Sequence, residues 1–365
     1  MKESAAALFR ETYGAEPASV AVAPGRINII GEHTDYAGGL CLPAAVDRYL
    51  AVAAGPAEAI AVVSQGRGAP LNADPKDLRP TGGWVDHPLG VLAELARGGT
   101  PVSVRLAIAS EIPIGAGLSS SAALGAATAL AVMGLAGVVV DAGEVARLCR
   151  RAENVFLSVP SGLMDQVASL TGRSRHALLF DSASEIAEPV LLPEDLEFMV
   201  IESGIERSLR GSQYADRVRE ADEALALARD RLSGLESLAQ LDVAEVEYLS
   251  LPEPLNRRAR HIAGESQRVR LAVACLEAGN IEALGDLMLS SHLSLARDCE
   301  VSLPEMDALV GTAVDAGSAG ARLMGAGFGG SIITAVETGR AAEVAAALEA
   351  RYRVHPVHVV DGAMA

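Results

Sequence analysis

The sequence predicts a two-domain fold that mixes helices and strands, and three observations carry this. At 365 residues the chain is too long for one ordinary core and suits two. Residues 18–64 read as strands and turns. From about residue 210 the pattern changes to long amphipathic helices, with a strand-like VHPVHVV near the end. The boundary is expected within 180–210, giving domains of 1–190 and 191–365.

The elements follow in order. SVAVAPGRINIIG, LPAAVDRYLAVAAG and EAIAVVSQ read as strands, and residues 66–83, rich in Gly, Pro and Asp, as a loop. WVDHPLGVLAELARGG reads as a helix closed by Gly98 and Gly99. VSVRLAIA places Val102, Val104, Leu106 and Ile108 at a period of two, a strand. The loop PIGAGLSSS then leads into a small-residue helix, SAALGAATALAVMGLAG. A second helix, DAGEVARLCRRAENVFL, starts with Asp141 as its N-cap. Pro160 and Gly162 force a turn just ahead of Met164 and Asp165. HALLFD and EFMVIES read as strands flanking acidic loops, and helices follow over 213–240, 254–278 and 281–297. Ser302 and Glu305 make a capping-box pattern for another helix ending at Gly317.

Composition excludes several classes. A net charge of -17, from 30 basic and 47 acidic residues, disfavours nucleic acid and anionic membranes as partners. Any phosphate site must therefore be built locally, from backbone N–H groups, a metal and a few Arg residues. No apolar run reaches the length of a membrane span, and the first residues lack the apolar centre of a secretory signal, so a cytoplasmic protein is expected. The cysteines, Cys41, Cys149, Cys275 and Cys299, are far apart and unpaired by motif, which suits reduced thiols. Lysine occurs only at Lys2 and Lys76, neither beside a glycine-rich loop, so a Walker A lysine and a protein-kinase strand lysine are both excluded.

The segment Pro24 to Pro43, PGRINIIGEHTDYAGGLCLP, packs Arg26, Glu32, His33 and Asp35 around a glycine beside an apolar run. Such side chains are expensive to bury without partners. A ligand covered in hydroxyl groups would satisfy them, because carboxylates accept, His does either and Arg adds a fixed charge. The alternative is a charged, solvated surface turn.

Two glycine loops follow. In PIGAGLSSSAA, Gly115 and Gly117 allow a tight turn and close approach to a ligand, and the next helix points its N–H groups and positive dipole end back at the loop. Ser119, Ser120 and Ser121 are placed to cap that helix, donate to phosphate oxygens or ligate Mg²⁺. The second loop, GAGFGG at Gly325 to Gly330, does not open a helix: SIITAV after it is strand-like. That argues against a dinucleotide fingerprint, hence against a dehydrogenase, and for a hairpin or loop closing onto the site. Asp165 follows Leu163 and Met164, in partly apolar surroundings where a carboxylate held by a cation orients or deprotonates a hydroxyl. Glu153 is placed to complete an oxygen shell around Mg²⁺ with Ser121.

Taken together, PGRINIIGEHTDY, PIGAGLSSSAA, SGLMDQ and LMGAGFGGS resemble, in the same order, the motifs of the galactokinase family of GHMP small-molecule kinases. The segment from Ser208 to Arg217, RARHIAGE and SSHLSL are similar too, so the resemblance covers essentially the whole chain. It implies an α+β fold, with an N-terminal domain like domain 2 of ribosomal protein S5 and a ferredoxin-like C-terminal domain. It implies transfer of the ATP γ-phosphate to the anomeric hydroxyl of galactose, with ATP and Mg²⁺ bound and a monomer expected. Asp165 would be the catalytic acid–base residue and Arg26 the transition-state stabiliser. Glu32, His33, Thr34, Asp35 and Tyr214 would hold the sugar, with Gly162 giving it room. Gly115, Ala116, Gly117, Leu118, Ser119, Ser120 and Ser121 would wrap the phosphates, Ser121 and Glu153 would bind Mg²⁺, and Ser64 and Trp84 would line the adenine pocket. Ala37, where the family usually has Asn, Met324 in place of Thr and His87 in place of Tyr depart from the pattern and bear on sugar preference. The rivals are a related kinase for galactosamine, galacturonate, arabinose or a heptose, and a non-catalytic sugar- and ATP-sensing regulator.

Overall fold

A computed structural model of the chain describes residues 1–113, 115–205 and 210–363. Ile114 of the first glycine loop and the Ser208 end of the tyrosine segment lie outside them. Helix α1 (Lys2–Tyr13) precedes strands β1 (Ser19–Asn28), β2 (Leu40–Cys41), β3 (Pro43–Pro56), β4 (Ile60–Ser64) and β5 (Leu71–Ala73). Next come α2 (Asp86–Arg97), β6 (Val104–Ser110), α3 (Ser120–Ala136), α4 (Ala142–Arg151) and α5 (Met164–Thr171). Strands β7 (His176–Asp181), β8 (Ile186–Leu191) and β9 (Leu196–Glu202) lead to helices α6 (Arg210–Arg229), α7 (Val243–Leu249), α8 (Leu255–Glu277), α9 (Ile281–Arg297) and α10 (Pro304–Asp315). The chain closes with β10 (Gly320–Met324), β11 (Ser331–Glu337), α11 (Thr338–Glu349) and β12 (Arg353–Val357). None of these helices is long and apolar enough to cross a membrane.

Three sheets organise these elements. The first has the order β1-β3-β6-β4-β5, with only β4 and β6 parallel. Its outer face is covered by α1 through Ala5 and Phe9, and α3 packs on β1 and β3. Close packing of α3 follows from its run of small residues, Ala122 to Ala131, buried almost throughout. The second sheet has the order β10-β11-β9-β12, all antiparallel. Helices sit between β9 and β10 and between β11 and β12, so its connectivity is ferredoxin-like, as expected. The third has the order β2-β7-β8, with β7 against β3 and β2 and β8 against α8.

One apolar core runs from Ala21 of β1 to Val357 of β12 and includes Phe198 and Val200 of β9. The chain enters the second sheet after Leu191, and we propose the domain boundary there. The tail crosses back over it: Val360 N–H bonds Ala45 O at 3.0 Å, and Gly362 N–H bonds Gly172 O at 2.7 Å. The four cysteines are free thiols.

Some local expectations are corrected. The helix expected over 213–240 stops at Arg229, and Gly234, at φ 88°, turns the chain before α7. The capping box sits there instead, on Asp242 and Glu245. Ser302 and Glu305 make none: Pro304 takes the first helical position, so Leu303 is the N-cap and the Ser302 hydroxyl turns to Asp307. Strand β8 was not expected, because only Val190 of its residues is buried and its alternation is weak.

Helix α9 crosses β10 at glycine on glycine. A Cβ on Gly285 would lie 2.1 Å from Ala319 O, and one on Gly320 2.3 Å from Gly285 O. Gly285→Ala is therefore expected to cost about 1–3 kcal/mol by overpacking, read as a lower urea midpoint with an unchanged m-value. A midpoint equal to wild type would contradict this crossing.

Candidate active site

The site is built where β1 passes the first glycine loop. The β1–β3 register shifts between Pro24 and Gly25. A side chain at Gly25 would put its Cβ 2.6 Å from Leu118 O, so only glycine lets strand and loop meet here. Arg26 N–H donates to the same carbonyl at 3.0 Å. The buried Arg26 side chain then spans three segments. Its Nε and Nη2 fork onto Asp165 Oδ1 and Oδ2 at 2.6 and 2.8 Å, and Nη1 donates to Gly117 O at 2.6 Å. Burial alone would lower the Arg26 pKa, but Asp165 and Glu32 raise it, so the cation is secure.

Asp165 lies in the first turn of α5, where the helix dipole favours a negative charge. Ser119, in a left-handed conformation at φ 56°, also donates its hydroxyl to Asp165 Oδ2. A carboxylate offers about four lone-pair positions. Three are taken, one remains on Oδ1, and the side chain is 28% exposed toward the cavity. Ser119 thus serves Asp165 rather than capping α3, which has no side-chain cap. That leaves the amides of its first turn to an anion.

At the other end lies the EHTDY segment. Glu32 Oε1 accepts from Gly325 N–H at 2.7 Å and from Arg322 Nη2 at 3.2 Å. His33 Nε2–H donates to Ala326 O at 3.2 Å, which leaves Nδ1 to accept from the Tyr36 hydroxyl at 3.0 Å. Burial and the neighbouring His261 bring His33 down to about 4, so the ring is neutral. Tyr214 packs against His33 and Tyr36, with ring centroids 5.4 and 5.7 Å away.

Gly162 makes room for a protein group. A Cβ there would sit 1.9 Å from Asp35 Oδ2, so the glycine seats the Asp35 carboxylate, and any room left for a ligand follows from that. Burial, with Asp165 and Glu32 nearby, pushes Asp35 up to about 7.

Glu153 sits in a wide π-helical turn that interrupts the expected second helix after Arg151, and such turns frequently mark functional sites. It accepts from Ser161 Oγ at 2.6 Å and Gln166 Nε2 at 2.9 Å, and the Ser121 hydroxyl bonds it as well. Burial pushes it up to about 7.

A cavity of about 520 Å³ joins these groups. Of the residues expected from sequence, it is lined by Arg26, Glu32, His33, Asp35, Gly115, Gly117, Leu118, Ser119, Ser120, Ser121, Glu153, Gly162, Asp165 and Tyr214. Four others do not line it. Thr34 is buried with its hydroxyl on Gly31 O and Leu40 O, closing the loop's own turn. Ala116 is buried beneath the glycine loop. Ser64 ends β4, and Trp84 lies under Arg67.

Residues 7–56 match the galactokinase galactose-binding signature, 86–173 the GHMP kinases N-terminal domain and 272–354 the GHMP kinases C-terminal model. A galactokinase of Streptomyces coelicolor is 37% identical, covering 93% of this chain and 90% of its own. That of Roseiflexus is 40% identical over 90% of this chain and 86% of its own. The chain belongs to the galactokinase family. The crystal structure of Lactococcus lactis galactokinase complexed with galactose superposes with a TM-score of 0.90 at 30% identity, covering 98% of both chains. Methanococcus jannaschii mevalonate kinase shares the fold, with a TM-score of 0.68 at 18% identity over 94% of this chain and 98% of its own.

Sequence reading missed Arg322, which this member of the galactokinase family buries completely in β10. It donates to Ile29 O at 2.7 Å, Leu323 O at 2.8 Å and Asn28 O at 2.6 Å, besides Glu32. The signal was present: an arginine inside the otherwise apolar strand GARLM, just before a glycine loop. His87 and Gln166 also line the cavity without having been singled out as site residues.

The Asp35 shift makes a signed prediction. With its pKa raised from 3.8 to about 7, the folded state holds a proton that the unfolded state releases, so this carboxylate lowers stability as pH rises between those values. His33, lowered from 6.5 to about 4, acts in the opposite sense over much of the window, so the difference between proteins is the useful quantity. Asp35→Asn, without ligand, is expected to gain stability relative to wild type from pH 4 to 7 in urea titrations. A pH-independent difference would contradict the burial of Asp35.

Proposed function

We propose that this protein transfers the γ-phosphate of ATP to the anomeric hydroxyl of D-galactose. The observation that carries the reading is the position of Asp165: forked by Arg26, touched by Ser119 of the serine loop, and facing the same cavity as Glu32, His33 and Asp35. Phosphoryl transfer is mostly positioning and charge stabilisation. The open lone pair of Asp165 Oδ1 would accept the anomeric hydroxyl's hydrogen bond and take its proton, while the sugar oxygen bonds the γ-phosphorus and the bond to the β,γ-bridging oxygen breaks to release ADP. The α3 N-terminus and the Gly115 to Ser121 loop would hold the phosphates by backbone N–H groups. Arg26, close to both, would offset charge on the transferring group.

On the sugar side, Asp35 and Tyr214 face the cavity, and the remaining capacity of Glu32 would complete the hydroxyl contacts. Because both His33 nitrogens already have protein partners, its contribution would be mainly to hold the neighbouring groups. The signature match over residues 7–56 supports galactose over the related sugars.

Ser121 and Glu153 fit Mg²⁺. They are hard oxygen donors in contact, and Glu153, kept near protonation by burial, is a carboxylate that a cation would ionise. Mg²⁺ in such sites is commonly held by one or two protein oxygens with phosphate oxygens and water completing its shell. When bound, Mg²⁺ would neutralise phosphate charge. Cytoplasmic, monomeric action on small molecules alone completes the reading.

ADP release measured over a panel of sugars is expected to be fastest with galactose and to stop on chelation of Mg²⁺. Faster turnover of another hexose, or none, would reject the assignment. Asp165→Asn should keep galactose binding and lose roughly 10²–10⁴ of kcat. Near-normal turnover in this variant would remove Asp165 from the chemistry. Arg26→Lys should lower kcat/KM by about 10- to 100-fold, because a point charge cannot replace a fork and loses hydrogen bonds to charged partners. An unchanged single-turnover rate would count against Arg26.

A further inference from the structure

The Ile30–Gly31 and Glu32–His33 peptides are gripped by two side chains one turn apart on α8. Glu265, fully buried, accepts from Gly31 N–H at 2.9 Å and Ser291 Oγ at 2.6 Å through Oε1, and from Arg268 Nε at 2.7 Å through Oε2. His261 Nε2–H donates to Glu32 O at 2.9 Å, while Nδ1 meets Ser294 Oγ at 2.9 Å. A spacing of i, i+4 puts both on one helix face.

The loop they hold carries strained backbone, secured by its own hydrogen bonds through Thr34 and by those from α8. Gly31 stands at φ 98° and His33 at φ 58°, so the backbone passes twice through the left-handed region. For a non-glycine residue such a conformation costs about 1–3 kcal/mol and persists only where the surroundings over-determine it. Gly31 has no room for a side chain either, since a Cβ would lie 2.6 Å from Leu40 O. Burial alone would raise the Glu265 pKa, but Arg268, His261 and Arg322 bring it down to about 2, so its grip on Gly31 is that of an anion. Neither His261 nor Glu265 lines the cavity.

We propose that His261 and Glu265 are positioning residues for the sugar end of the cleft: they fix the Gly31–Glu32 backbone and so set sugar affinity without touching the sugar. The proposal rests on the galactose-kinase reading. It follows that their loss raises the sugar KM and leaves the nucleotide end, on α3 and the serine loop, unaffected.

His261→Leu removes the donor to Glu32 O, and His261→Gln keeps an amide N–H of similar reach. With galactose and ATP varied in turn, His261→Leu is expected to raise the galactose KM about tenfold or more with the ATP KM within about twofold, and His261→Gln to recover most of the loss. Ser294→Ala, a milder change that frees Nδ1, should raise the galactose KM alone by about threefold, and it carries the test if the leucine variant does not fold. Equal shifts in both KM values, no shift in either, or a glutamine variant no better than leucine would overturn the proposal. A wild-type chain inactive on galactose overturns the substrate reading along with it, whereas an active wild type with unsplit variants overturns only the positioning role.

Discussion

The Arg26–Asp165 fork is the interaction on which the site depends. It joins the end of β1, the glycine loop and the first turn of α5, which lie 91 and 139 residues from Arg26 in sequence. Burying two charges costs several kcal/mol per ion and is tolerated only when geometry and further hydrogen bonds offset it. Here every Arg26 nitrogen has an acceptor, and Asp165 has a serine as well. The same constraint explains Gly25: any side chain there would push β1 off Leu118 O and carry Arg26 away from Asp165.

A second lock sets the opposite wall. Arg322 and Gly325 N–H both converge on Glu32, so the β10–β11 hairpin is tied to the EHTDY loop. Burial first, and then the neighbouring acids Asp165 and Glu32, raise Asp35 of this wall toward neutrality. An acidic chain of net charge -17 thereby handles an anionic nucleotide: the positive elements, a helix N-terminus and Arg26, are local and aimed, while the acids near them are paired or partly protonated.

Much of this was legible in the sequence, for physical reasons. Glycines at 115, 117, 325 and 327 stand at positive φ, so they announced turns. Asp141 caps α4 as its position suggested, and the period-two run before Ser110 is β6. GAGFGG joins a hairpin because Ile332, Ile333, Thr334 and Val336 after it are β-branched and buried in a strand. What was not legible depends on contacts between distant segments. Nothing near Gly162 in sequence says that Asp35 will lie over it, and nothing near Thr34 says that its hydroxyl will close a turn rather than face the cavity. Arg322 was hidden because its partners are carbonyls of β1 and its following loop, invisible until the sheets meet.

The central claim is that a sugar hydroxyl and the terminal phosphate of a nucleotide meet between Arg26, Asp165 and the serine loop. A crystal structure with galactose and a non-hydrolysable ATP analogue tests it most directly. The account predicts the anomeric oxygen within hydrogen-bonding distance of Asp165 Oδ1, with the terminal phosphate against the α3 N-terminus. A sugar seated away from Asp165, or a nucleotide whose phosphates leave the Gly115 to Ser121 loop empty, would contradict it.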